Sequence, residues 1–251
     1  MNEEESLKSQ LGAAGQEYRE LGGWAAFRSG EWLALLIGKS FANYWERAHA
    51  EYFQKKYGTM DVDILASKLT SVAAKNAALL GGVAGAMVTA DEITAVVSGA
   101  EGGIGLPANL AVAATVIGGE AILLMRLQLQ LLANLGKIYG VPLDPNDPED
   151  ILTIIAFALG GAAAEAAGNA GMKIGGTLAA RAVKETFKKE TLATLKRIAA
   201  KAGVRILQRS LVKATIPVVS IMLGGSWNFT ATKAMARVAR RHFAARRLEM
   251  Q

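Results

Sequence analysis

Residues 106–140, LPANLAVAATVIGGEAILLMRLQLQLLANLGKIYG, form a long apolar stretch with helical spacing. Pro107 stands where a helix can begin, because the missing N–H of proline costs nothing in a first turn. Gly140 stands where a helix commonly ends. The apolar side chains do not alternate with polar ones, as they do in a half-buried strand. The stretch therefore predicts a buried helix over residues 106–139.

The segments on both sides also predict helices. A polar helix is expected over 3–20, one helix over 30–57 ending at Gly58, and another beginning at Asp61. A helix is expected over 148–167, basic helices follow, and a final pair spans about 216–247. We therefore predict an all-α, single-domain bundle of Gly/Ala-rich, closely packed apolar helices. Residues 1–30 are expected to be a polar N-terminal extension and residues 31–251 the helical domain.

Glycines recur inside the predicted helices, where each costs about 1 kcal/mol relative to alanine. Their repeated use indicates a packing need, which is either close helix crossing or a cleft for an apolar ligand. The glycines predicted to serve helix packing are Gly81, Gly85, Gly118, Gly160, Gly171, Gly175 and Gly224.

The charge is unevenly distributed along the chain. Residues 1–172 carry a net charge of −8, whereas residues 173–251 carry +14. A basic C-terminal third indicates an anionic partner, either lipid headgroups or nucleic acid. The acidic, polar N-terminus MNEEESLKSQL does not have the pattern of a signal peptide, so we expect a cytoplasmic protein.

The last helix is basic and amphipathic, which is typical of helices that lie on an anionic membrane. Nucleic acid is not favoured, because the basic residues are not interleaved with aromatic side chains for base stacking. A solvated helix face is the open alternative. The predicted membrane or anion contacts are Lys233, Arg237, Arg240, Arg241, Arg246 and Arg247.

The residues that could support catalysis are few. The chain has no cysteine and only two histidines, so we predict no metal site, no cofactor and no catalytic residue. Glu120 and Glu165 lie among small apolar residues and are expected to need a partner, which Arg126 or Lys173 could supply. A structural ion pair is the favoured interpretation of each carboxylate, and a carboxylate-based hydrolase is the least favoured function.

The segment 137–150, KIYGVPLDPNDPED, is rich in carboxylates and proline. A calcium loop requires a mid-loop glycine and ligands at alternating positions, and the prolines break that pattern. The segment instead predicts the end of one helix and the start of the next, with Asp147 as the N-cap and Asp150 in the first turn.

Two blocks carry a resemblance to a known family. They are Leu127–Gly140, which includes Tyr139, and Ile216–Phe243, which includes Pro217, Gly224 and Asn228. The chain resembles the EcsC family of bacterial proteins over about residues 40–247. The resemblance implies a helical fold that is often encoded near transport or membrane functions, and it supplies no catalytic residues.

From these features we expect a non-enzymatic protein that associates peripherally with the inner membrane or binds an apolar or lipid ligand. It would assist transport or secretion, with a membrane transporter or secretion component as a possible partner. A protein–protein interaction or accessory subunit without lipid binding is the alternative, and a homo-oligomer is compatible with both.

Overall fold

A computed structural model describes residues 3–29, 31–58, 61–88, 108–144, 150, 153–154, 157 and 220–250. Over these residues the secondary structure is helical and contains no strand, which confirms the predicted all-α class. The helices are α1 (Glu3–Glu20), α2 (Gly23–Ser29), α3 (Glu31–Arg47), α4 (Ala50–Tyr57), α5 (Val62–Met87), α6 (Ala108–Tyr139) and α7 (Ser220–Glu249).

Two predicted helix boundaries were wrong. The single helix expected over 30–57 is divided into α3 and α4, because His49 adopts an extended backbone with φ −124° and ψ 118°. The α4 segment has no buried residue, so packing does not hold it in line with α3. Conversely, α7 is one continuous helix, and Gly224 and Gly225 do not interrupt it.

The helix ends follow local rules. Asp61 caps α5, since its Oδ1 atom accepts hydrogen bonds from the backbone N–H groups of Asp63 (2.8 Å) and Ile64 (3.4 Å). Gly140 ends α6 with φ +68°, a conformation that favours glycine. The N–H of Val141 then donates to the carbonyl of Gly136 at 2.9 Å, as in a Schellman motif. Asp147 lies outside the described residues.

The chain divides into two compact units. Unit one comprises Met1–Leu35, Asn76–Met125 and Lys196–Phe229, and unit two comprises Leu36–Lys75, Arg126–Leu195 and Thr230–Gln251. The described part of the predicted 1–30 extension lies in unit one, where it forms α1 and α2. Leu11, Ala14 and Tyr18 of α1 are buried there.

Unit one is built on close contact between α1 and α6. A buried cluster joins Leu11 to Val116 and Ile117, together with Leu80, Ala84 and Val88. A Cβ atom added at Gly118 would lie 2.3 Å from Cγ of Tyr18. One added at Gly119 would lie 2.7 Å from the carbonyl oxygen of Leu11. These glycines therefore let the two helix backbones approach each other closely.

A second close approach in unit one joins α7 to α5. A Cβ atom at Gly225 would lie 2.9 Å from the carbonyl oxygen of Ala78. Gly81 is buried in α5 and Gly85 is half-buried, and Gly224 lies within α7. The other predicted packing glycines, Gly160, Gly171 and Gly175, lie outside the described residues.

Unit two contains an aromatic core in which α6 and α7 meet. The rings of Tyr139 and Phe243 have centroids 6.3 Å apart, and Phe157 lies 5.8 Å from Phe243. On α3, Trp45 receives the ammonium of Lys137 over its ring at 4.1 Å. Buried α7 residues recur at helical spacing, as Thr232, Met235, Ala236, Ala239 and Phe243.

Within the described ranges, one helix is long and apolar enough to cross a membrane. It is the portion Ala114–Tyr139 of α6, with a mean hydropathy of 1.4. Because 67% of this apolar window is buried inside the fold, its apolar composition is equally typical of a helix in a protein core. The described residues are compatible with a soluble or a peripherally associated protein.

Candidate functional site

A polar cluster in unit two ties α7 to the start of α5 and the end of α6. Nη2 of Arg240 donates to the backbone carbonyl of Asp63 at 3.0 Å and lies 3.7 Å from the Asp63 carboxylate. The hydroxyl of Tyr139 donates to the same carboxylate, and Nε of Arg240 lies 3.5 Å from that hydroxyl. The three side chains therefore bind one another.

The protonation of Tyr139 limits what this cluster can do. Burial raises the pKa of the Tyr139 phenol, and its hydrogen bond to Asp63 raises the pKa further, whereas Arg240 opposes the shift. The phenol is therefore neutral at physiological pH and acts as a hydrogen-bond donor rather than as a base. The geometry suits a structural clamp on α7.

A second clamp joins α7 to the acidic segment 137–150. Nη1 of Arg246 lies 3.2 Å from Oδ1 of Asp150, which is buried. The other carboxylate oxygen of Asp150 accepts a hydrogen bond of 2.8 Å from the backbone N–H of Asp144. Asp150 thus serves as an anchor for α7, a long-range role that its position in a predicted first turn did not indicate.

The outer side of α7 carries what we call the basic face, Arg237, Arg241, Ala245 and Leu248. These residues are spaced by four, four and three positions, so they lie on one side of the helix, and all four are exposed. Leu248 is 73% exposed, and Met250, just beyond the end of α7 at Glu249, is 55% exposed. The face therefore presents two guanidinium groups that are followed along the helix by one large apolar side chain, Leu248.

The structure separates the six basic residues predicted on this helix. Arg237 and Arg241 point to solvent, whereas Lys233 and Arg247 are half-buried. Arg240 and Arg246 make the intramolecular ion pairs described above. The exposed side chains of Leu248 and Met250 were not among the predicted contacts, although their position in sequence beside the arginines was a visible signal.

Glu120 has a partner in unit one. Its Oε1 atom accepts a hydrogen bond of 2.9 Å from Nδ2 of Asn228, whose side chain is buried. Arg126 is half-buried on α6, and Glu165 lies outside the described residues. The bond between Glu120 and Asn228 crosslinks α6 and α7 and is a structural contact.

Acidic and imidazole side chains do not gather into a metal-binding group of three or more anywhere in the described residues. His242 packs at the edge of Phe157, with ring centroids 5.2 Å apart. His49 precedes α4 and is exposed.

Comparison with known proteins gives no match: no family model, no curated protein and no solved structure matches the chain. The resemblance to the EcsC family therefore remains a prediction carried by the two sequence blocks.

Proposed function

We propose that this chain is an EcsC-like, non-enzymatic helical protein that binds an anionic membrane surface through the basic face of α7. The observation that carries the proposal is the exposure of Arg237 and Arg241 on the same side of α7 as Leu248. Arginines bind lipid phosphates, and an adjacent apolar side chain can enter the headgroup region. The membrane is favoured over an enclosed apolar ligand because this charge points outward.

The clamps on α7 support this role. Arg240 and Arg246 hold the helix by its inner side, which leaves Arg237 and Arg241 available on the outer side. A preformed basic face binds with a lower entropic cost than a disordered basic tail. A cytoplasmic protein bound in this way would lie at the inner face of the bacterial membrane, where it could assist transport or secretion.

Vesicle flotation tests the proposal. The full chain should float with vesicles that contain phosphatidylglycerol and remain unbound with pure phosphatidylcholine. Because each basic residue near such a surface contributes about 1 kcal/mol, Arg237→Gln together with Arg241→Gln should lower the partition coefficient roughly 30-fold. Added salt should reduce the difference between wild type and this variant.

The control removes the same charge from another helix. Lys8→Gln with Arg19→Gln changes two exposed cations of α1 and should leave flotation nearly unchanged. Equal flotation with neutral and anionic vesicles would overturn the proposal. An equal loss of binding in the two double variants would also overturn it, since binding would then depend on net charge alone.

A further inference from the structure

Helix α4 is a short helix whose side chains all remain outside the core. Tyr52 is 55% exposed, and the neighbouring Lys55 and Lys56 are exposed as well. The ammonium of Lys56 lies 5.5 Å from the ring centroids of both Tyr52 and Tyr57. Of the two tyrosines, Tyr52 is exposed and Tyr57 is half-buried, so α4 presents aromatic surface outside the core.

A cation links α4 to the first half of α5. The ammonium of Lys68 lies over the ring of Tyr57 at 4.4 Å, a distance at which a cation is attracted to the ring face. The two helices therefore contribute to one surface in unit two. We call it the α4–α5 face, and its residues are Tyr52, Lys55, Lys56, Tyr57, Ile64, Lys68, Val72 and Lys75.

The α5 part of this face combines large aliphatic and basic side chains. Ile64 is 59% exposed and Val72 is 43% exposed, and Lys68 and Lys75 are exposed between and beyond them. At 3.6 residues per turn these four positions fall within an arc of about 80°. A solvated helix face does not require two large aliphatic side chains in so narrow an arc.

The charges on the face identify the chemistry of its partner. The face has four lysines. The stretch from α4 to α5 has three exposed carboxylates, which are Glu51, Asp61 and Asp63, and Asp61 caps α5. Asp63 is bound by Tyr139 and Arg240. The partner must therefore be anionic and must also accept aliphatic and aromatic side chains.

The boundary between headgroups and acyl chains of an anionic bilayer has both properties. Tyrosine is favoured at this depth, and lysine extends its apolar stem along the acyl region while its ammonium reaches the phosphates. A second copy of this chain fits less well, because a two-fold interface uses the same surface of both copies and would place this lysine-rich face against an equally basic one.

We propose that the α4–α5 face is a second membrane contact, which inserts Ile64 and Val72 below the phosphates of an anionic bilayer. This inference rests on the proposed function, and it adds an apolar insertion site to the electrostatic one. Both contacts belong to unit two, in which Arg240, on the same helix as the basic face, binds the first turn of α5 at Asp63.

A site-specific fluorophore tests the insertion. The chain has no cysteine, so Val72→Cys provides a unique site for the environment-sensitive label NBD. On addition of phosphatidylglycerol vesicles, the emission should shift to the blue and increase in intensity. The same label at Ala13→Cys, an exposed position on α1, should not change.

A substitution pair provides an independent readout. Ile64→Ser with Val72→Ser should lower the partition coefficient onto anionic vesicles about tenfold, because the apolar insertion is lost. This loss should persist at high salt, whereas the effect of changing Arg237 and Arg241 should shrink. Far-UV circular dichroism confirms that each variant retains its helices.

The outcomes distinguish the two proposals. If the wild-type chain does not bind anionic vesicles, the proposed function fails and this inference fails with it. If the chain binds but the label at position 72 is unchanged and the serine pair binds as wild type does, only this inference is overturned. A blue shift that needs no vesicles and grows with protein concentration would also overturn it, in favour of self-association.

Discussion

Nη2 of Arg240 on α7 donates a hydrogen bond of 3.0 Å to the backbone carbonyl of Asp63 on α5, across 177 positions of sequence. The same guanidinium contacts the carboxylate of Asp63 and the hydroxyl of Tyr139. One side chain therefore joins three helices of unit two. Its neighbour on the outer side of α7, Arg237, is exposed.

The first prediction compares these two arginines. Arg240→Gln should lower the free energy of unfolding by about 1 kcal/mol, because it removes bonds to a carbonyl and to a partly solvated carboxylate. Arg237→Gln should change it by less than about 0.5 kcal/mol. Urea unfolding followed by circular dichroism measures both values. Equal effects would show that the contacts of Arg240 do not stabilise the fold.

The role of Arg240 illustrates what the sequence could not reveal. Helical spacing places Arg240 and Arg241 side by side among basic residues, and local sequence does not show that Asp63 approaches one of them. Such a pairing depends on the tertiary arrangement of α5, α6 and α7. The sequence predicted a membrane or anion contact for all six cations. Only the structure distinguishes Arg237 and Arg241, which are exposed, from Arg240 and Arg246, which make intramolecular ion pairs.

Helix ends were predictable where a local rule applies. Asp61 caps α5 and Gly140 ends α6 as expected, since each depends on bonds within a few residues. The break at His49 was not predictable, because neither glycine nor proline marks it and only the lack of buried residues in α4 explains it. The glycines that allow close helix packing were predicted only in part. Gly118 was among the predicted packing glycines, whereas Gly119 and Gly225 were not, because their close approaches depend on which neighbour each residue faces.

The second prediction concerns the contact between α1 and α6. An added Cβ atom at Gly118 would meet the buried ring of Tyr18 at 2.3 Å, so Gly118→Ala should destabilise the protein by about 2–3 kcal/mol. Gly12 lies on the exposed side of α1 with open space around it. Gly12→Ala should therefore stabilise by about 0.5–1 kcal/mol through helix propensity.

Thermal unfolding of the two alanine variants provides the measurement. For a chain of this size, 1 kcal/mol corresponds to a change in Tm of about 2–4 °C. The midpoints should therefore move in opposite directions. A Gly118→Ala variant as stable as wild type would contradict the close approach of α6 to Tyr18.

The third prediction is a loss of stability at high pH. Burial raises the pKa of Tyr18 to about 12, above its ordinary value of 10. Between these values the unfolded chain loses the phenolic proton while the folded chain retains it, so rising pH favours unfolding. The contribution of Tyr18 is complete below pH 10 and should decrease by about 2–3 kcal/mol as the pH approaches 12.

The comparison with Tyr18→Phe isolates this contribution, since other groups titrate equally in both chains. The difference in free energy of unfolding between wild type and variant should be constant below pH 10. Above pH 10 it should change in favour of the phenylalanine chain. A difference that stays constant up to pH 12 would show that the hydroxyl of Tyr18 remains in water.

The fourth prediction compares two buried threonines on helices of unit two. Thr70 donates a hydrogen bond of 2.7 Å to the carbonyl of Ala66. Thr232 is fully buried, and its hydroxyl has no hydrogen-bond partner in the part of the chain that the structure describes. Replacing threonine by valine keeps the shape of the side chain, and it changes the helix propensity by the same amount at both sites. The two variants therefore differ mainly in the hydrogen bond that is lost.

Thr70→Val should lower the free energy of unfolding by about 1 kcal/mol, because a satisfied hydroxyl is removed and the Ala66 carbonyl loses one donor. Thr232→Val should leave it unchanged or raise it by up to about 1 kcal/mol, because an unpaired polar group no longer has to be buried. Urea unfolding of the two variants under one condition measures the contrast. A loss at Thr232 as large as that at Thr70 would mean that the Thr232 hydroxyl is hydrogen-bonded in solution, which would contradict the burial of an unpaired group on α7.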